Sequence, residues 1–315
     1  ERELGYAHFA KLEENDSPIR RLKQGADHVR FRNPDGVELP DLASLWGEGF
    51  QDLYGQSIFF RAAWMGGITW ATRAEAGFNS EHLQFLEQLT PALTAVIEPL
   101  AREMVMGTLL RCYLGRDAGD RVSNGQVRRG DQQTLQAAIW FCDVRGFTQL
   151  TTALPRQDLL DLLNDSFEEI VDGLHAHGGQ VLKFMGDGLL AVFTGDDEGA
   201  ACRSAADAVT TVQHRLAELA DRRSERGLTN ADVGIGLHFG DVTYGNIGAP
   251  ARLDFTVIGS AVNLAARVES LCGRLGVSAL STEAFASRAN AGWTRQGEYS
   301  VKGVDEPVVV YKAPH

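Results

Sequence analysis

The rhythm of apolar positions changes along the chain, and each rhythm predicts an element. From Ser57 to Phe78 the stretch "SIFFRAAWMGGITWATRAEAGF" alternates and carries glycines, which predicts strands joined by a tight turn. Asn79-Ser80 then offers an N-cap. Phe85, Leu86, Leu89, Leu93, Val96, Ile97, Leu100 and Met104 follow at helical spacing. Pro91 and Pro99 fall inside that stripe and predict a bend or a break. Tyr113 to Asp131 is rich in Gly and charge, which predicts a connector with a domain boundary near Gly130.

Beyond the connector the texture shifts. "LQAAIWFCDV" reads as a buried strand ending at Asp143, and Asp158 to His177 carries a helical stripe through Leu159, Leu163, Phe167, Ile170, Val171 and Leu174. "VLKFMGDGLLAVF", Val181 to Phe193, reads as a buried hairpin with Asp187 at its tip between Gly186 and Gly188. A small-residue helix ("GAACRSAADAVTTVQHRLAEL"), a strand ("DVGIGLHFG"), a helix ("SAVNLAARVESLC") and a strand ("EPVVVYKA") complete the pattern. Strands and helices in this alternation predict an α+β fold with helices packed on a sheet.

Length and charge narrow the function. A chain of 315 residues has room for two domains, each with its own core. A net charge of -12 argues against a nucleic-acid or anionic-membrane binder, because phosphate backbones need a basic face. It leaves a nucleotide substrate open, since bound metal ions can supply positive charge locally. Cys112, Cys142, Cys202 and Cys272 form no CxxC clip and read as reduced thiols of a cytoplasmic chain. No apolar run reaches the length of a membrane span. The start, "ERELGYAHFAKLEE", lacks the form of a signal peptide, and a chain that begins without Met is expected to be a piece of something longer.

The chemistry gathers on carboxylates. Asp143 ends one strand and Asp187 tips a hairpin, so a hairpin lying beside the strand would bring both acids to one sheet edge. Two acids that close repel each other unless a cation sits between them, and Mg²⁺ needs only one or two carboxylates plus substrate phosphates. The flanking glycines would let a phosphate or metal approach the backbone. Taken alone, Gly-Asp-Gly is better explained by a plain turn Asp, a reading that weakens beside "FCDVRGFT". In "FCDVRGFT" the run from Gly146 to Thr148 can open a helix whose N–H groups suit phosphates; the alternative is a turn with a capping Thr. In "RLDFTVIGSAVNLAARVESL", Asn263 and Arg267 share a helix face, where Arg could stabilise charge on a phosphoryl group. The alternative is a solvated Asn and an Arg paired with Glu269. Lys302, before Gly303 in "YSVKGVDEP", says little alone.

Together these motifs, from about Leu135 to Lys312, resemble the catalytic domain of class III nucleotidyl cyclases. The resemblance implies a ferredoxin-like, palm-type α+β catalytic domain over 132–315, paired head to tail as a homodimer with sites at the interface. It implies that Asp143, Asp187 and the carbonyl of Val144 hold Mg²⁺ or Mn²⁺, two ions per site. Lys183 and Thr256 would read the purine, and Phe147 and Thr148 would contact substrate. Asn263 and Arg267 would orient the ribose and stabilise the transition state, and Lys302 would hold the terminal phosphates. Thr at the second purine-reading place matches a bacterial and bicarbonate-responsive adenylyl subgroup, whereas guanylyl cyclases usually carry Glu and Cys at the two places. The implied activity is conversion of ATP to 3′,5′-cyclic AMP and pyrophosphate. Competing readings are a catalytically inactive cyclase-like nucleotide-binding module, and a diguanylate cyclase, whose GG[DE]EF signature is absent.

The front half is similar, more loosely, to the end of a GAF-like sensory domain, through "GGITWATRAEAGFNSEHLQFLEQLTPAL". That implies a smaller α+β domain over 1–104 and a connecting helix and linker over 105–131. A small-molecule ligand and a dimerising scaffold both remain open for it. The helix would pass any signal on by shifting the pairing of the catalytic domains.

Overall fold

The computed structural model describes residues 17–33, 40–60, 63–126, 128, 130, 132–195, 197–249, 251–289 and 292–314. It divides into two compact units, Glu1–Met106 and Gly107–His315. The N-terminal leader read above lies outside the described residues.

In the first unit α1 (Pro18–Lys23) starts at Ser17, whose hydroxyl accepts a hydrogen bond from Arg20 N–H at 3.2 Å. Strands β1 (His28–Arg32), β2 (Asp52–Phe60) and β3 (Ala63–Thr72) form an antiparallel sheet in that order, with α2 (Pro40–Gly47) between β1 and β2. The alternating stretch does make two strands, while the turn joining them lies at residues 61–62, outside the described residues. Leu22, Val29, Phe31, Leu42 and Leu53 make its small core. Asp52 is fully buried yet charged: it pairs with Arg30 at 2.6 Å and accepts from Phe78 N–H at 2.8 Å.

Helix α3 runs Ser80–Leu114, capped by Asn79, whose Oδ1 accepts from His82 N–H at 2.8 Å. Contrary to the expectation of a break, it continues through both Pro91 and Pro99. Each proline is exposed, so the carbonyl it leaves without an N–H partner faces water, and helix-favouring neighbours carry the turn across. The stretch read as a connector contains a further short helix, α4 (Arg116–Ser123), entered through Gly115 at φ +83.

The second unit is built on one mixed sheet. Its order is β10 (Thr294–Tyr299), β11 (Val308–Lys312), β9 (Ala279–Thr282), β7 (Val233–Ala249), β4 (Gln132–Val144), β6 (Gly188–Phe193), β5 (Gln180–Met185), with β8 (Arg252–Ile258) paired to the far end of β7. All pairings are antiparallel except β7 with β9. From Ala137 to Cys142 strand β4 has no polar face because both faces are covered, whereas its start, Gln132–Gln136, is polar and largely exposed. Ala138, Trp140 and Cys142 pack with α6 (Arg156–Ala176) and α7 (Glu198–Glu225), while Ala137 and Ile139 pack with Val242, Val257 and the α8 (Ser260–Leu275) residues Ala261 and Ala265. Two short helices, α5 (Phe147–Ala153) and α9 (Glu283–Ala286), cap strand ends. This is the α+β architecture expected, with the two acids at the end of the central strands.

Candidate active site

Strand register brings the acids together. Asp143 pairs with Gly188 on one side and Gly234 on the other. Asp187 sits on the β5–β6 turn, and its carbonyl accepts from Val144 N–H at 3.2 Å. Burial first, then the charge of Asp187 and hydrogen bonding with its carboxyl, push Asp143 up to about 6. Gly186 takes the left-handed turn at φ +67. At Gly188 a Cβ would stand 2.9 Å from Asp143 Oδ1 and 2.4 Å from the Cys142 carbonyl. The room there is taken by the neighbouring acid.

A third carboxylate, unexpected from sequence, faces the pair. Glu269 of α8 lies over β7, where Gly234 leaves space: a Cβ at 234 would be 2.3 Å from Glu269 Oε1. Burial, Asp143 and Asp187 raise its carboxyl, against the pull of Arg145, to about 7. Glu269 therefore does not serve as a surface partner of Arg267; the two lie two residues apart and face opposite sides of α8. The signal was the alternation of Gly234 and Gly236 in "DVGIGL", which lets a helix approach the strand. Among the described residues no cluster of three or more His, Cys, Asp or Glu is arranged to hold a metal ion. Two hard carboxylates strained by like charge nevertheless fit a divalent cation that takes its remaining ligands from phosphate and water.

The other expected residues fall into two groups. Lys183 follows a bulge in β5, with Nζ 3.9 Å from Asp254 Oδ2 of β8. Thr256 is buried on β8, on the same strand face as Asp254. Asp254 was not singled out from sequence, and its place two residues before Thr256 was the available clue. Asn263 and Arg267 are exposed one turn apart on α8. Lys302 is exposed in the turn between β10 and β11. Phe147 and Thr148 begin α5, whose cap is Gly146 in the left-handed region, so Thr148 is no cap. Among the described residues no hydrogen bond or ion pair joins Asp143 or Asp187 to Lys183, Thr256, Asn263, Arg267 or Lys302.

A central strand and hairpin presenting paired acids at one sheet edge are the arrangement that the resemblance to nucleotidyl cyclases implied. The family model described as "Adenylate and Guanylate cyclase catalytic domain" matches residues 130–312, and the chain belongs to that family. It is 33% identical over 195 residues to an adenylate cyclase of Anabaena cylindrica, covering 59% of this chain and 38% of the relative. A bacterial light-regulated adenylyl cyclase superposes with a TM-score of 0.59 at 28% identity, covering 72% of this chain and 65% of that one. The guanylyl cyclase Cya2 superposes with a TM-score of 0.51 at 30% identity, covering 57% and 92%. The chain spans about two fifths of the length of the curated relatives it matches. No helix among the described residues is long and apolar enough to cross a membrane.

Proposed function

We propose that the chain is an adenylyl cyclase, making 3′,5′-cyclic AMP and pyrophosphate from ATP in a homodimer. The observation that carries this reading is the meeting of Asp143 and Asp187, two carboxylates held together at a cost that a divalent cation would remove. Bound Mg²⁺ or Mn²⁺ would supply acidification of the ribose 3′-hydroxyl and neutralise phosphate charge. Asp143, Asp187 and the carbonyl of Val144 would hold the ions. Phe147 and Thr148, at the start of α5, contact the substrate phosphates. Arg267 places its guanidinium where charge grows on the α-phosphoryl group and the leaving pyrophosphate, Asn263 orients the ribose, and Lys302 grips the terminal phosphates.

Base choice follows hydrogen-bond direction. Adenine offers an N1 acceptor and a 6-amino donor; the Lys183 ammonium donates to the first and the Thr256 hydroxyl accepts from the second. Guanine reverses both, leaving mispaired polar groups. The exposure of Asn263 and Arg267, and the absence of any hydrogen bond or ion pair between them and the acids among the described residues, support sites completed by a second copy. The first unit is read as a GAF-like sensory or dimerising module acting through α3. The free thiols, with Cys112 exposed, suit a cytoplasmic location. The test is product formation by the purified chain with Mg²⁺ or Mn²⁺. ATP should be turned over well ahead of GTP, and Lys183→Glu with Thr256→Cys should erode that preference. Equal rates of cyclic AMP and cyclic GMP in the unmodified chain would contradict the assignment.

A further inference from the structure

The helix α4 was not foreseen, and its contacts are specific. Gly115, which enters it, lies against β5: a Cβ there would stand 2.8 Å from the carbonyl of Val181, two residues before Lys183. Two residues on, Asp117 Oδ2 accepts two hydrogen bonds, from Tyr244 Oη at 2.6 Å and from Arg121 Nε at 2.7 Å. Tyr244 stands on β7 opposite Val257 of β8. Its ring meets Phe255 edge-on at 4.7 Å, and the Arg121 guanidinium lies over both rings at 5.4 and 5.7 Å. Just past α4, the Gln126 carbonyl accepts from Asn246 Nδ2 at 2.9 Å, and Asn246 is itself buried on β7 beside Gly245, the register partner of Thr256. Alternation along β8 puts Phe255 on one face and Asp254 and Thr256 on the other. The helix therefore grips the reverse side of the strand whose front carries Thr256. The elbow itself is stiff. Gly119 meets the α3 backbone so closely that a Cβ would be 2.7 Å from Arg111 N, and Arg111 Nε pairs with Asp120 at 2.7 Å.

We propose that Gly115 and Asp117 are positioning residues for base recognition, bracing the two strands that carry Lys183 and Thr256. Neither touches substrate. Their effect is to fix the spacing between the ammonium and hydroxyl that must match the adenine edge, and a pair of strands held at one elbow keeps that spacing where free strand ends would let it drift. The assignment of Lys183 and Thr256 rests on the cyclase reading above; the brace rests on the contacts alone.

The experiment separates the two. Tyr244→Phe removes one hydroxyl and keeps the ring packing, Asp117→Asn keeps the shape and removes the charge, and the double variant closes a cycle. Amide hydrogen exchange in the full chain reads the brace without reference to activity. Exchange over 180–185 and 252–258 should quicken in each variant, and distant strands such as β10 should not change. Steady-state turnover reads its consequence. KM for ATP should rise roughly fivefold and the ATP-over-GTP ratio of kcat/KM should fall by a similar factor. The kcat for ATP should stay within about twofold, and the double variant should be no worse than the worse single one. Unchanged exchange in both strands in Tyr244→Phe overturns the brace whatever the activity. A fall in kcat with KM and base preference intact, or fully additive losses, overturns its role in recognition. A chain with altered exchange that makes no cyclic nucleotide in any form retires the cyclase reading and leaves the brace standing.

Discussion

Replacing Asp187 by Asn should make the metal-free protein more stable while destroying its activity. Asp143 is held at about 6 instead of its ordinary 3.8. At 1.36 kcal/mol per pKa unit this bounds the penalty on its charged form at roughly 3 kcal/mol, less after discounting for the solvent that reaches a half-buried carboxyl. Burial is the largest cause and would remain in the variant. Asp187 contributes less than burial, on the order of 1 kcal/mol as for a partly solvated charge pair, and Glu269, raised to about 7 partly by the same acid, adds in the same direction. Raised values mean that the fold keeps protons which the unfolded chain has already released. This contribution is intact below about pH 4 and is lost as pH climbs through 6 to 7. In EDTA at pH 8 the variant should melt about 2–4 °C above the parent, the shift expected per 1 kcal/mol for a unit of this size; at pH 4 the two should coincide. Added Mg²⁺ should raise the parent at pH 8 and do little for the variant. Differential scanning calorimetry on both proteins reads all of this. A variant that melts at or below the parent at pH 8 in EDTA would refute the claim that the two carboxylates strain each other.

Other consequences are as specific. Gly236→Ala would place a Cβ 2.4 Å from Ala265 O and Glu269 N, forcing α8 away from β7. It should cost about 2–3 kcal/mol in urea unfolding and more than tenfold in turnover, because α8 carries Asn263 and Arg267. Gly273→Ala, with nothing within 4 Å, should leave both unharmed, and equal behaviour of the two would be contrary evidence. In the first unit Asp52→Asn should cost roughly 3 kcal/mol, discounted for the partly exposed arginines. Burial pushes Asp52 up, but the Arg30 and Phe78 hydrogen bonds and the charges of Arg30 and Arg32 outweigh it and hold the carboxyl below 3.8. Its stabilisation is therefore present above that pH and lost as pH falls below it, and an acid titration of the variant should lack this loss.

Much of the second unit was legible because its elements are long and their rhythms distinct. "LQAAIWFCDV" reads as a buried strand, and Asp187 between two apolar runs reads as a hairpin turn; both are so. Register then did the rest, since a hairpin beside β4 must set Asp187 next to Asp143. What escaped notice depends on contacts far apart in sequence. Helix α4 hides in "RDAGDRVS" because its hold is polar, through Asp117 and Tyr244, and only Ala118 and Gly119 are buried. Glu269 escaped because its partners lie on β4 and the β5–β6 turn, more than eighty positions earlier along the chain. Of the bend or break that the prolines of α3 predicted, the break did not occur: the helix runs through both, and both are exposed.

The central claim is that each active site is shared between two copies, the acids from one and Lys183, Thr256, Asn263, Arg267 and Lys302 from the other. The direct measurement is complementation. Asp143→Asn and Arg267→Ala each spoil both sites of a homodimer, but a mixed dimer has one doubly damaged site and one intact site. Mixing the two inactive proteins should restore cyclic AMP formation to roughly a quarter of the parent rate, if chains pair at random and sites act independently. Activity that stays at the level of the separate variants, while labelled subunits are seen to exchange, would contradict the account and place complete sites within single chains.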